Sequence, residues 1–276
     1  MIIQNLSNTN FEDIIECFLE AFSNYFVPMP TDDQNYYRNR WKAANVNFEL
    51  SYGMFDKNQL VGFILHAVDV RNNTKIAYNT GTGVIPNYRG KGITKLLYKY
   101  ALENLQKYNI EKSTLEVITE NTRALKTYEN IGFKVCKTFY CYKGSLNLTT
   151  KTEYQLSEKP LNEIDWKKLP NQEFYSWDNQ KETIINGNYQ CFSVMSNYEE
   201  IGYFIINSEL NYLAQFDTYE PQKTENWYGL FSMIQQISSN IKTNNVDNRL
   251  IEKIKFLKEI GFQNTVNQYE MELNLR

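Results

Sequence analysis

Gly81-Thr-Gly-Val-Ile-Pro-Asn-Tyr-Arg-Gly-Lys-Gly-Ile-Thr94 gathers the residues best suited to hold an anion. It reads as a short strand, a basic glycine turn and a helix start. Arg89-Gly90-Lys91-Gly92 lets the backbone curl. Ile93, Leu96, Leu97, Tyr100, Ala101 and Leu105 then recur at helical spacing. A helix start carries unpaired N–H groups and the positive end of the helix dipole, so it can hold a phosphate. Arg89, Lys91 and Lys95 add charge at the same place. Taken alone, the stretch is equally an ordinary basic surface turn. It is neither a Walker loop, because no Ser or Thr follows Gly90-Lys91, nor the dinucleotide fingerprint, because the third glycine is missing.

A second stretch carries groups able to move protons: Leu115-Glu-Val-Ile-Thr-Glu-Asn-Thr-Arg-Ala-Leu-Lys-Thr-Tyr-Glu-Asn-Ile-Gly-Phe133. Tyr128 lies seven residues after Asn121, two helical turns, so the two share a face. A phenol with an ordinary pKa of about 10 is protonated at neutral pH and can donate. Glu116 sits between Leu115 and Val117 on a strand; if those two face the core, Glu116 faces the opposite side. The bland readings stay open: a core tyrosine among 21 tyrosines, and a glutamate on a solvated strand face. Glu120, Asp69 or a water chain are alternative bases.

These groups need elements to position them. Met1 to Leu6 reads as a strand, and Phe11 to Phe22 as a helix capped by Asn10. Pro28 and Pro30 break that helix, and Thr31 opens a second one through about Ala44. Phe48–Phe55 and Leu60–Val70 read as strands joined at residues 56–59, and a third strand runs from Lys75 to Ile85. After the basic turn and its helix come a strand Ser113–Ile118, a helix Asn121–Asn130 with Gly132 at its end, and a strand Phe133–Tyr142. Residues 143–150 are polar and read as a linker.

Composition narrows the function classes. With 29 basic and 32 acidic residues the net charge is −3, which argues against a general nucleic-acid or anionic-membrane binder. Four cysteines form no C-x-x-C pair and there is one histidine, so no zinc site and no other metal centre is expected. That histidine, His66, lies in an apolar strand and reads as a packed residue rather than a base. No leader and no bilayer-spanning run is evident, so a cytoplasmic location with reduced thiols is the expectation.

Together the two stretches resemble the GNAT family of acetyl-CoA-dependent N-acetyltransferases, over about residues 1–145. The resemblance implies an α+β fold, a mixed and mostly antiparallel sheet flanked by helices. It implies that Arg89, Gly90, Lys91, Gly92, Ile93, Thr94 and Lys95 wrap the pyrophosphate of acetyl-CoA. Thr94 stands where the family has Gly or Ala, adding bulk and a hydroxyl. Gly83, Val84 and Ile85 would lie along the pantetheine arm where their strand parts from the next, and Asn121 would contact that arm. Tyr128 would protonate the leaving thiolate. Glu116 matches the position of the base in the ribosomal-protein alanine acetyltransferases.

The second half faintly repeats the first. Glu200-Ile-Gly-Tyr-Phe-Ile205 echoes Leu60-Val-Gly-Phe-Ile-Leu65, and Phe256-Leu-Lys-Glu-Ile-Gly-Phe262 echoes Thr127-Tyr-Glu-Asn-Ile-Gly-Phe133. Leu250 and Leu257 then stand where Asn121 and Tyr128 stand, and no basic glycine turn intervenes. The expectation is two tandem copies: 1–145 with the acetyl-CoA site, and 151–276 as a shorter copy without it. An unrelated second domain is the alternative. The expected activity is acetyl transfer from acetyl-CoA to a primary amine, small-molecule or peptide, by direct attack in a ternary complex. A non-catalytic acyl-CoA sensor is the competing reading. No nucleic-acid or membrane partner is expected; the tandem chain would act as a monomeric pseudo-dimer or a homodimer.

Overall fold

The computed structural model describes residues 1–29, 31–149 and 154–276. Pro30 as a helix breaker, the end of the expected linker at Thr150, and the first residues of the expected second domain lie outside them. The elements in chain order are β1 (Ile2–Asn5), α1 (Phe11–Ala21), α2 (Gln34–Ala43), β2 (Tyr52–Asp56), β3 (Gln59–Arg71), β4 (Thr74–Val84), α3 (Ile93–Lys107), β5 (Lys112–Ile118), α4 (Thr122–Ile131) and β6 (Lys134–Ser145). There follow β7 (Tyr154–Lys159), α5 (Lys181–Asn186), β8 (Gln190–Ser196), β9 (Glu199–Asn207), β10 (Tyr212–Thr218), α6 (Thr224–Ile237), β11 (Asn240–Asp247), α7 (Ile251–Glu259) and β12 (Gln263–Asn274). The expected α+β class holds.

The chain forms two compact units, residues 1–136 with 270–276, and residues 137–269. The division therefore does not fall at residues 143–150. Lys143 and Ser145 pair with Lys242 and Asn240 of β11, and Leu146 N–H donates to Ser239 O. The polar stretch is thus the end of a strand: its backbone groups are satisfied by a neighbour, and Leu146 is buried. Each sequence half also yields its last strand. Most of β6 pairs within the second unit, while the end of β12 returns to the first. There Leu275 N–H donates to Glu111 O, Lys112 bridges to Glu272 at 2.7 Å, and Gln106 reaches Leu275 O.

In the first unit the strand order is β1-β2-β3-β4-β5, followed by the tail of β12. Neighbours are antiparallel except β4 and β5, which run parallel across the α3 crossover. α1 packs on one face of β3 and β4 with Phe18 against Phe63, and α3 on the other. The buried residues of α3 are Ile93, Leu97, Tyr98, Ala101 and Leu105. Leu96 and Tyr100, expected on that face, are 47% and 38% exposed. The apolar stripe is rotated by one residue, and a tyrosine takes the flank. α2 is capped by Asp33, whose carboxylate accepts from Asn35 N–H, rather than by Thr31.

In the second unit the order is β6-β11-β10-β9-β8-β7, with α6 buried along Trp227, Leu230, Phe231 and Ile234. Its hairpin β9/β10 repeats β3/β4 rung for rung. In the first, Gly62, Phe63, Ile64 and Leu65 face Val84, Gly83, Thr82 and Gly81; the register then skips Thr80, and His66 faces Asn79. In the second, Gly202, Tyr203, Phe204 and Ile205 face Thr218, Asp217, Phe216 and Gln215; the register skips Ala214, and Ile206 faces Leu213. The helices that follow agree as well. Asn121 and Leu250 precede α4 and α7 with φ/ψ of −80°/64° and −83°/68°. Phe133 N–H meets Tyr128 O at 3.0 Å, as Phe262 N–H meets Leu257 O at 2.9 Å. The two halves are tandem copies of one fold.

His66 is fully buried on β3, its Nδ1 2.7 Å from Leu50 O. That carbonyl can only accept, so Nδ1 carries the proton. Burial pushes the imidazole pKa down to about 4. Below its unfolded pKa the unfolded chain binds a proton that the folded chain refuses. Stability is therefore full above that value and is lost as pH falls toward 4. From pH 7 to 4.5 this one group should remove about 2–3 kcal/mol. Urea midpoints at the two pH values should show that loss in the wild type and not in His66→Asn; an equal loss in both would refute the assignment.

Candidate active site

β4 and β5 pair only from Ile76↔Lys112 to Asn79↔Leu115. Beyond that rung Thr80–Val84 and Glu116–Ile118 part, which leaves an opening at the carboxyl end of two parallel strands. In open sheets such openings hold ligands. Thr80 is the bulged residue at the point of parting. Its Oγ1 is buried without a hydrogen-bond partner, a polar orphan facing a place where something else belongs.

The glycines of β4 explain its shape. A Cβ on Gly83 would stand 2.8 Å from Ala21 Cβ and 2.8 Å from the Phe63 ring; one on Gly81 would stand 3.3 Å from Phe18. They bring α1 onto the strand. Gly62 does the same on the other face, where Ile93 lies 3.1 Å from the place of its missing Cβ. The mouth of α3 is thereby pinned over the strand end.

Between β4 and α3, Pro86–Tyr88 makes one 3₁₀ turn. Gly90 and Gly92 then take φ of +80° and +73°, the left-handed region that glycine enters without strain. Nothing lies within 4 Å of a Cβ at either, so the conformation, not crowding, demands glycine. Gly92 caps α3 with no side-chain cap. The N–H groups of Gly90 to Lys95 have no acceptor among the described residues, and the helix geometry leaves its first ones open. Arg89 is used differently from the expectation. Its Nε donates to Val84 O at 3.1 Å and its Nη2 to Ala21 O at 2.9 Å, so it ties the loop to β4 and α1. Lys91 Nζ lies 4.3 Å over the Tyr88 ring, and Tyr88 donates to Asp56. Lys95 is exposed and Thr94 half-buried. A bare backbone cradle beneath a helix mouth, with lysines beside it, fits two linked phosphates.

Tyr128 and Glu116 stand at the opening. Tyr128 is 8% exposed. Burial raises its pKa well above the phenol range, and the neighbouring Tyr25 adds to the rise. Asn79 and Leu115 share a rung, so Leu115 and Val117 point to the α3 side and Glu116 to the α1 side. Glu116 is half-buried with Oε1 sealed from water; it is not on a solvated face. Asn121 is engaged at both ends: Oδ1 caps α4 at Ala124 N–H, and its amide bonds the Tyr25 hydroxyl.

Sequence reasoning missed Tyr25, Tyr78, Asn79, Thr82 and Tyr98. Tyr78 is buried on the face that Glu116 shares. The Asn79 amide donates to Thr82 Oγ1 at 2.8 Å and to the Tyr98 hydroxyl, while Asn79 Oδ1 accepts from Gly81 N–H at 3.0 Å. The Tyr98 ring meets the Tyr128 ring edge-on at 5.6 Å, and the Tyr98 and Thr82 hydroxyls act against the rise of the Tyr128 pKa. The available signal was Asn79-Thr80 amid alternating residues, where a bulge turns two polar side chains inward.

The second unit carries none of this at its own parting. β10 and β11 share the single rung Tyr212↔Lys242. The gap is filled by residues 171–180. Tyr175 accepts from Phe216 N–H at 3.2 Å and donates to Asp217 Oδ2 at 2.6 Å; Gln215 donates to Asn179 O; Asn179 donates to Asn244 O. Lys253 completes a buried ion pair with Asp217 at 3.0 Å. Gln215 and Asp217 stand where the first unit has Gly81 and Gly83. The turn before α6 is short and its charges cancel, with Glu220 bound to Lys223. A cleft of about 460 Å³ lined by Lys143, Leu210, Asn240, Lys242 and Gly261 belongs to this unit. Among the described residues no group of three or more His, Cys, Asp and Glu is placed to hold a metal, and no helix is long and apolar enough to cross a membrane.

The pattern of the acetyltransferase (GNAT) family matches residues 11–133. N-alpha-acetyltransferase 30 of Saccharomyces cerevisiae is 31% identical over 130 residues, covering 45% of this chain and 70% of that protein. Its Schizosaccharomyces pombe counterpart is 28% identical over 109 residues, covering 39% and 71%. Among solved structures, a tandem GNAT protein from the clavulanic acid biosynthesis pathway shares the fold at a TM-score of 0.65 and 13% identity, over 100% of this chain and 98% of that one. A putative acetyltransferase of Pyrococcus horikoshii does so at 0.68 and 14%, over 99% and 89%. The matched residues run from α1 to the end of α4 and take in the basic cradle, the parted strands and Tyr128: the chain belongs to the GNAT family and is an acetyl-CoA-dependent acetyltransferase.

Proposed function

We propose that the chain acetylates the free α-amino group of a peptide, by direct attack of the amine on acetyl-CoA within a complex that holds both. The observation that carries the reading is the opening between β4 and β5, with the bare N–H cradle at one end and Tyr128 and Glu116 at the other. Likeness to two N-alpha-acetyltransferases supports a peptide amine over a small metabolite.

The chain's own groups divide the work. Backbone N–H groups of Gly90 to Lys95 hold the pyrophosphate, with Lys91 and Lys95 adding charge. Gly83, Val84 and Ile85 offer the strand edge along which the pantetheine arm lies. Arg89 keeps the cradle in register with that edge, and Asn121 orients α4 and Tyr25. Glu116 takes a proton from the amine, directly or through water, so that nitrogen attacks with its lone pair free. Tyr128 gives its proton to the departing sulfur. Its raised pKa keeps that proton in place at any physiological pH. The second unit is a copy that has surrendered its site.

Three measurements check this. Tyr128→Phe should lower kcat by roughly 10²–10³-fold, with coenzyme A affinity held, and Glu116→Gln should cost a similar factor at neutral pH and lose the acid limb of the pH profile. Full activity of Tyr128→Phe across pH would end the acid assignment, and tight coenzyme A binding with no product from any peptide, polyamine or amino-sugar would favour a sensor. Arg89→Lys keeps the charge but cannot bridge two carbonyls with a planar fork. Calorimetry should show coenzyme A bound about 10-fold more weakly; unchanged affinity would mean the ties to Val84 and Ala21 are idle. The same titration should saturate at one coenzyme A per chain, and a second equivalent would contradict the filled gap at residues 171–180.

A further inference from the structure

We infer that Tyr98, held by Asn79, is a positioning residue that aims the proton of Tyr128 at the leaving sulfur. This rests on the reading of Tyr128 as the acid.

The argument is one of donors and acceptors. Tyr98 is completely buried on the inner flank of α3, with its ring edge-on to Tyr128 at 5.6 Å and to Phe133 at 5.7 Å. A buried hydroxyl must find partners for both its oxygen and its proton. The Asn79 amide donates to the Tyr98 oxygen. Asn79 cannot turn over, because its Oδ1 is taken by Gly81 N–H at the bulge. The Tyr98 proton must therefore point onward, and the polar side chains beside it there are Tyr128 and Thr82. Donation from Tyr98 occupies a lone pair of the Tyr128 oxygen. The Tyr128 proton is then left to point out of the network, toward the opening between β4 and β5. A backbone amide thus sets the direction of a chain that runs from Gly81 through Asn79 and Tyr98 to Tyr128.

The second unit supplies an internal control. Register places Leu213 where Asn79 stands and Phe216 where Thr82 stands. The helix ends place Leu257 where Tyr128 stands. The same hairpin, bulge and helix form there with apolar residues at all three positions. The fold does not need the polar set; only the first unit, whose gap is open to a substrate, keeps it.

The test is a double-mutant cycle on the full chain with acetyl-CoA and a series of peptides with free N-termini, reading kcat and KM separately. Tyr98→Phe keeps the ring and deletes the hydroxyl. It should lower kcat about 10-fold with KM for acetyl-CoA unchanged, yet change kcat less than about 2-fold in the Tyr128→Phe background. Asn79→Leu, the residue found at the matching rung of the second unit, should give the same pattern and stands in if Tyr98→Phe fails to fold. Equal losses in both backgrounds, or no loss in either, would overturn the inference while leaving Tyr128 as the acid. A fully active Tyr128→Phe single variant would overturn both, and that measurement precedes the cycle.

Discussion

Two parallel strands that part before they end leave a strip of backbone without a ladder partner. Each buried N–H or C=O so stranded costs about 1–3 kcal/mol unless something else meets it. The structure contains this situation twice, in β4/β5 and in β10/β11, and resolves it in opposite ways. In the second unit the chain folds residues 171–180 back into its own gap, and Tyr175 and Asn179 satisfy both edges. In the first unit no segment among the described residues does so, and Thr80 has an unmet hydroxyl, as Ser176 and Thr218 of the second unit also do. Under the proposed function, a substrate closes that opening. The extended, amide-bearing arm of acetyl-CoA has the chemistry to do that.

What holds the opening in place is close packing rather than charge. Gly81 and Gly83 admit α1 onto β4, and Gly62 admits Ile93 from the opposite face. Two helices therefore grip one strand at the point where its neighbour leaves it. Arg89 belongs with this packing. Its guanidinium spans the end of β4 and the end of α1, so its positive charge is spent on carbonyls. Where the second unit has Gln215 and Asp217 in place of the two glycines, only the short α5 packs on that face among the described helices, with Ile184 against Tyr203, Ile205 and Ala214. The larger polar side chains reach into the gap and recruit Asn171, Gln172 and Lys253. One pair of substitutions separates an open cleft from a filled one.

Much of this was legible in the residues. Asn121, Tyr128 and Gly132 declare a capped helix by spacing alone, and the structure places the cap at Asn121 Oδ1 and the left-handed end at Gly132. The faint echo between the halves was real at the level of backbone angles. Two things were not legible. The exchange of β6 and β12 was hidden because both strands alternate alike, and alternation names a strand's faces but not its partner. The turn of α3 was misjudged by one residue, since Leu96 and Tyr100 fit the helical period as well as Tyr98 does. What decides between them is a hydrogen bond to Asn79, a side chain turned inward by a bulge that no periodicity reports. In the inference drawn above, Asn79 and Tyr98 are the residues that position Tyr128. Local pattern reads the scaffold well and reads poorly those polar groups whose partners are distant in the chain.

The tandem arrangement sharpens what may be inferred about the rest. A single domain cannot separate residues kept for folding from residues kept for work, because both are buried and both are bonded. Here one backbone plan is written twice. Gly62 and Gly202 face the same rung, Gly132 and Gly261 end the same helix, and Phe133 and Phe262 turn the same corner; these agree because the fold needs them. Asn79, Thr82, Asn121 and Tyr128 meet Leu213, Phe216, Leu250 and Leu257. An apolar residue buries more cheaply than a polar one that must be satisfied on every side. The second unit took that cheaper course once its gap was filled. The first unit carries the costlier set, and under the proposed function the difference between the two is chemistry that stability does not require.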